Sequence, residues 1–251
     1  MHKKVLVVAA HPDDEVLGVG GTILRHTMMG DQVRILIMAE GVTSRDDVRD
    51  TQKHAAELHA LHEKAQQVAK FLGAEKVELL SFPDNRMDEV DLLDVVKSIE
   101  QLVESFHPQV VYTHHAGDVN IDHQRTHEAV ITACRSLPKA SVQELYFFET
   151  LSSTEWQMPT AGKVFLPAMY VDISEVLEKK IAALKLYASE MRDYPHPRSY
   201  RAVKALAEYR GMTAGMHYAE AFAIGRVLWE ANAMYFNSRH VCGGGAHMTI
   251  S

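Results

Sequence analysis

Cysteine is scarce. The 251-residue chain has 2, Cys134 and Cys242, far apart in sequence. That excludes a disulfide framework or a zinc ribbon, both of which need paired thiols at set spacings. Long apolar runs are missing too, and none approaches the ~20 residues of a membrane span. The opening, MHKKVLVVAAHPDDE, has two lysines before a short apolar run, but that run ends in acidic residues without a cleavage pattern. It reads as a first strand rather than a signal peptide, and a cytoplasmic location is the default expectation. Positive charge is in deficit: 26 Lys and Arg face 33 Asp and Glu, for a net charge of -7. Nucleic acids and anionic membranes want basic patches, so neither is expected as a partner. Repeats, low-complexity blocks and dividing linkers are absent as well. One domain over residues 1–240 is expected, with a disordered tail at 241–251 around the glycines 243–245.

What is present is 47% hydrophobic residues, enough for a substantial core, and 15 histidines. Residues 4–10 form a continuous apolar run of the kind buried on both faces of a sheet. Residues 16–29 follow with helical periodicity, and residues 33–39 (VRILIMA) read as a second strand. A polar loop at 40–50 leads to a long helix over 51–72, closed by Gly73 as a C-terminal cap. Strands at 77–82 and 109–113 alternate with helices at 90–106 and about 123–136. This β-α alternation predicts an α/β fold with a doubly wound, mainly parallel, Rossmann-like sheet and helices on both faces. The C-terminal half is less regular. Strands are expected at 144–148 and 168–172 and helices at 175–187 and 200–209, with a two-proline loop at 193–199. Residues 221–228 fit either strand or helix.

The chain is organised around residues 5–21, VLVVAAHPDDEVLGVGG. A buried strand ends in His11, Pro12, Asp13, Asp14 and Glu15, where an α/β fold carries its chemistry. A neutral imidazole and a carboxylate three residues apart can converge on one cation, and His plus Asp oxygen suits zinc at bond lengths near ~2.0–2.2 Å. Two adjacent carboxylates diverge in a turn, so one can bind metal while its neighbour faces a reacting water. The plainer explanation is a helix N-terminus, with acidic groups on the positive end of the dipole and Pro12 near the first helical position. Both can hold together. A dinucleotide fingerprint does not fit: Ile23 stands where the third glycine belongs, and acidic groups precede the glycines. Gly18, Gly20 and Gly21 are expected to serve the strand-to-helix turn.

The second stretch, THHAGDVNIDHQRTH at 113–127, also follows a strand and so lies along the same sheet edge. A catalytic zinc takes three protein ligands and keeps one position open, so one histidine here would complete the set. His123 and His127 share a helix face, with His127 deeper and better read as a core or surface residue. Asp122 can cap a helix or orient an imidazole.

AHPDDE after one apolar strand, with N-x-D-H about a hundred residues later, resembles the PIG-L/LmbE-like family of zinc-dependent N-acetyl-sugar deacetylases. The resemblance runs from residue 5 to about 135 and includes FPDNR at 82–86. ETLSSTEW (149–156), SEMRDYPHPRS (189–199) and YAEAF (218–222) look like a subgroup of it. It implies that His11, Asp14 and His123 hold Zn2+ and that Asp13 is the general base. It implies an N-acetyl-sugar or glycoconjugate substrate, and a homo-oligomer. Many members carry a histidine three residues before the last ligand; here that position is Asn120, which can donate to an oxyanion but cannot protonate an amine. Either Asp13 makes both proton transfers, or His115 or His196 assists. Arg45, Arg86, Asp118 and His196 are the expected substrate contacts, the arginines through their guanidinium forks, and Trp156, Tyr194 and Tyr218 could help line the pocket. Two other readings remain at this stage: a zinc amidohydrolase acting on a non-sugar N-acyl group, and a metal-containing binding module without turnover, which Asn120 favours.

Overall fold

A computed structural model describes residues 2–137 and 140–229. The expected tail and Cys242 lie outside the described residues. Among these residues seven strands form one sheet: β1 (Lys4–Ala9), β2 (Gln32–Ala39), β3 (Lys76–Phe82), β4 (Val110–His114), β5 (Glu144–Phe148), β6 (Met169–Asp172) and β7 (Ala219–Val227). Their spatial order is β3-β2-β1-β4-β5-β7-β6. The first five are parallel; β7 runs antiparallel to both β5 and β6. The ambiguous stretch near 221–228 is therefore a strand, and it makes the sheet mixed at one end. The strand order reverses between β1 and β4, which is where doubly wound sheets open a crevice.

Alternation along the strands decides which residues meet which helices. Val5, Val7, Ile35, Ile37, Tyr112 and Phe148 point to one face. That face is covered by α1 (Asp14–Met28), α2 (Ala55–Leu72), α5 (Leu177–Leu186) and α6 (Tyr200–Ala214). Leu6, Val8, Leu36, Met38, Val111 and Leu145 point to the other, covered by α3 (Leu92–Phe106) and α4 (Ile121–Ala133). Each fully buried side chain of this size contributes roughly 1.5–3 kcal/mol, so β1, paired on both edges and apolar on both faces, is firmly held. No described helix is long and apolar enough to cross a membrane.

The glycines after the first motif do not form the turn. Gly18, Gly20 and Gly21 all lie inside α1. A Cβ on Gly18 would sit 2.2 Å from the Phe148 ring, and one on Gly21 would sit 2.6 Å from Ile173. They let α1 lie close against β5, β7 and the segment after β6. Gly18→Ala should therefore lower the urea-unfolding free energy by about 1–3 kcal/mol through overpacking. An unchanged midpoint would show that Phe148 can move aside.

Candidate active site

The end of β1 is tied to the end of β4 before the chemistry begins. The Ala10 amide donates to His114 Nε2 at 2.8 Å. This fixes the His114 tautomer, and burial, reinforced by the charge of neighbouring His123, pushes its pKa down to about 4. His114 is thus a neutral prop, and its ring stacks on His123 at 3.9 Å between centroids. The next residues along the chain turn sharply into α1.

His11, Asp14 and His123 converge. Asp14 Oδ2 lies 3.2 Å from His11 Nδ1 and 3.2 Å from His123 Nε2, and one ligand atom from each residue lies within 4.8 Å of the others. All three residues are buried. Each imidazole is oriented from behind. Asp122 Oδ2 lies 2.9 Å from His11 Nε2, and Asp118 Oδ2 lies 2.8 Å from His123 Nδ1. Asp122 is itself held by the amides of Asn85 and Met87, and Asp118 by the Thr154 hydroxyl. This is how metal-binding histidines are commonly braced.

The electrostatics fit a cation. Burial alone would lower the pKa of His11, yet Asp122, Asp14 and Asp84 outweigh it and raise it well above the ordinary value. Burial also opposes charge on His123, but Asp14 and Asp118 raise it to about 9. Asp118 is held down to about 2: burial works against its charge, and bonds to His114 and His123 prevail. A pocket that holds protons this firmly is one where a metal ion can replace them. Asp14 Oδ1 and His123 Nε2 are buried with no hydrogen-bond partner. Orphaned buried atoms are costly, and a cation between them would satisfy both. The residues fit a divalent metal with mixed nitrogen and oxygen ligands.

Asp13 stands beside this cluster in an unusual conformation. Its φ is 115° and its side chain does not cap α1, although it occupies the N-cap position. A non-glycine residue in such a region costs on the order of 1–3 kcal/mol. Its Oδ2 accepts from Arg198 Nη1 at 3.0 Å, while Oδ1 is buried without a partner. Burial lifts its pKa to about 7, against the pull of Arg198 and with the help of Asp14. Neighbouring Glu15 is lifted by burial to about 8, opposed by bonds from the Asp13 amide and the Tyr187 hydroxyl.

A cleft of about 150 Å³ opens onto these groups, lined among others by His11, Asp13, Arg45, Asp84, Asn120 and Arg198. Asn120 is the N-cap of α4, which explains why that helix starts before the expected residue. Its Oδ1 accepts from the amides of Asp122 and His123, and its Nδ2 donates to Asn85. Arg45 reaches the rim and pairs with Glu190. The structure does not bring the other expected residues here. Asp118, expected to touch substrate, is fully buried behind His123. His115 Nε2 bonds the Lys163 carbonyl at 3.0 Å and does not line the cleft. His196 Nδ1 accepts from the Arg198 amide, and its ring lies edge-on to Trp156. Arg86 donates to the Asp47 carbonyl, anchoring a loop. His127 bonds the His114 carbonyl, a packing role.

Sequence reasoning missed Arg198 and Asp84. Arg198 sits in the two-proline loop, but nothing local marks a residue that meets Asp13 185 positions away. Asp84 belongs to FPDNR, whose arginine is the more obvious ligand for a sugar; it lies 3.3 Å from His11 Nε2 and is held by Ser44.

Fold and cluster together define an α/β protein with a buried His/Asp constellation, able to hold a metal ion, at the switch point of its sheet. The family model described as GlcNAc-PI de-N-acetylase, PIG-L, matches residues 6–134, just over half the chain, and the protein belongs to that family. The diacetylchitobiose deacetylase of Thermococcus kodakarensis is 28% identical over 231 residues, covering 87% of this chain and 81% of its own. Among solved structures, the N,N'-diacetylchitobiose deacetylase of Pyrococcus horikoshii superposes with a TM-score of 0.70 at 23% identity, covering 88% of this chain and 83% of that one. GalB, the 4-carboxy-2-hydroxymuconate hydratase of Pseudomonas putida KT2440, also superposes at 0.70, with 24% identity and coverage of 92% and 99%. Those two likenesses show the fold alone, and the second shows that the fold does not choose the reaction.

Proposed function

We propose that the protein is a zinc-dependent hydrolase that removes the N-acetyl group of an N-acetylated amino sugar or sugar conjugate. The observation that carries this is the convergence of His11, Asp14 and His123, with two orphaned ligand atoms, beside a base-competent Asp13. The reading draws its substrate from the family and from the deacetylase relative of similar length. His11, Asp14 and His123 would hold the zinc. Bound zinc supplies Lewis acidity, lowering the pKa of water to ~7 and polarising the amide carbonyl.

Asp13 takes a proton from the attacking water. Burial lifts the pKa of its carboxyl to about 7 in the metal-free protein, well above the usual carboxylate range, which strengthens it as a proton acceptor. Having gained that proton, Asp13 is also the group able to pass it to the departing amine, since neither His115 nor His196 lines the cleft. Arg198 keeps the carboxylate aimed, and Arg45 meets hydroxyls of the sugar at the rim.

The test is acetate release from N-acetylglucosamine, N,N'-diacetylchitobiose and a set of N-acetyl amino acids, before and after chelation. Turnover is expected with the sugars, loss of at least ~100-fold on removing the metal, and recovery with one equivalent of zinc. Turnover confined to the amino acids would replace the sugar reading. Turnover that survives complete metal removal would end the metal reading.

A further inference from the structure

Asp13 occupies the N-cap position of α1, yet its φ of 115° and ψ of -28° are not those of a helix cap. An N-cap aspartate in the usual extended conformation turns its carboxylate onto the first amides of its own helix. Here the Asp13 side chain makes no capping bond: the amides of Asp14 and Val16 donate instead to the backbone carbonyls of His11 and Asp13, and the carboxylate belongs to the cleft. Something must hold the backbone in this region. The Asp13 amide donates to Glu15 Oε2 at 3.0 Å, and Glu15 Oε1 accepts from the Tyr187 hydroxyl at 2.9 Å. Glu15 and Tyr187 are 1% and 0% exposed, so no water competes for either bond. Tyr187 is the C-terminal cap residue of α5, in the part of the chain beyond the family match.

We infer that Glu15 and Tyr187 are positioning residues for the reaction: together they fix the Asp13 backbone in the left-handed conformation that keeps its carboxylate off the helix terminus and in the cleft. The inference rests on Asp13 being the base. Without the Glu15 bond, the amide of Asp13 is free and the ordinary capping geometry becomes available. The carboxylate would then bond to its own helix and be lost to catalysis, while the cation site stays intact.

The experiment compares Tyr187→Phe, Glu15→Ala and Glu15→Gln with the parent enzyme and with Asp13→Asn. Zinc content, kcat, KM and the Asp13 amide resonance of the metal-free protein are measured for each. Tyr187→Phe and Glu15→Ala are expected to bind one zinc and to lose kcat by about 10- to 100-fold. KM should stay within about twofold, and the Asp13 amide resonance should shift. Glu15→Gln should recover most of the Glu15→Ala loss, because its side-chain carbonyl still accepts from Asp13 and its amide donates to the Tyr187 oxygen. Tyr187→Phe keeps the packed ring and decides the matter if Glu15→Ala does not fold. A folded, zinc-loaded Tyr187→Phe with kcat within twofold of the parent and an unmoved Asp13 amide overturns the inference. An inactive Asp13→Asn beside that result would leave the base assignment standing; an active Asp13→Asn would remove the base assignment and this inference with it.

Discussion

Asp13→Asn is expected to bind one equivalent of zinc and to release acetate at least about 100-fold more slowly than the parent, the usual scale for removing a general base. The expectation follows from what the substitution leaves alone. Asparagine has the same shape, so its carbonyl can still accept from Arg198 and its backbone can still donate to Glu15. Asp14, His11 and His123 keep their mutual geometry, since none of them bonds the Asp13 side chain. What is lost is the ability to take a proton. Zinc quantification together with initial rates of acetate release checks both halves. Near-parental rates in the zinc-loaded variant would mean that another group receives the proton.

The largest stability effect is expected from Glu220→Ala, which should lower the unfolding free energy by about 3–5 kcal/mol. Glu220 projects from β7 into the middle of α1, where its carboxylate accepts from the amides of Gly21 and Thr22 at 2.8 and 2.7 Å. It also accepts from the Thr22 hydroxyl and from Lys180 Nζ at 2.6 Å. Lys180 comes from α5, is 4% exposed, and spends its remaining reach on the Leu17 carbonyl. Truncating Glu220 strands a buried ammonium and frees two helix amides at once. The double variant Lys180→Met, Glu220→Gln should lose less, because no unpaired charge is left inside. Urea unfolding of the two variants decides it. A single variant within about 1 kcal/mol of the parent would show that water enters and takes over the role of Glu220.

The close approach of α1 explains why its glycines were misread from sequence. Three glycines soon after a strand look like turn material, because the turn is the nearest place that needs them. The actual partners of Gly18 and Gly21, Phe148, Ile173 and Glu220, lie 130 to 200 residues away. The sheet was legible through β6 because its strands are mainly apolar, even where Arg34 or Glu78 interrupts them, and because helices separate the first five. β7 was ambiguous because Ala, Phe, Ile and Gly suit either element and its antiparallel pairing leaves no local mark. At the site, His11, Asp13, Asp14 and His123 could be seen because they cluster at strand ends and carry the family motif. Asp122 was legible as a group that can orient an imidazole, one of two roles open to it, and it braces His11; the role of Asp118 behind His123 follows only from which way its side chain turns. Asn120 was legible as a departure from the family pattern but not as a helix cap, since the periodicity puts the start of α4 at about residue 123, two residues late.

The tether from Tyr187 through Glu15 to Asp13 reaches into the HPDDE motif from beyond the stretch that the family model matches. The converging His11, Asp14 and His123 all lie within residues 6–134, whereas Arg198, which bonds the Asp13 carboxylate, and Tyr187, which bonds Glu15, come from the far end of the chain. Transplanting the motif and its N-x-D-H counterpart into another parallel sheet should therefore yield a protein that sequesters metal and turns nothing over. A designer would have to graft a remote tyrosine and arginine along with the motif, and a mutation in α5, remote in sequence from the cleft, could silence the enzyme without changing its metal content.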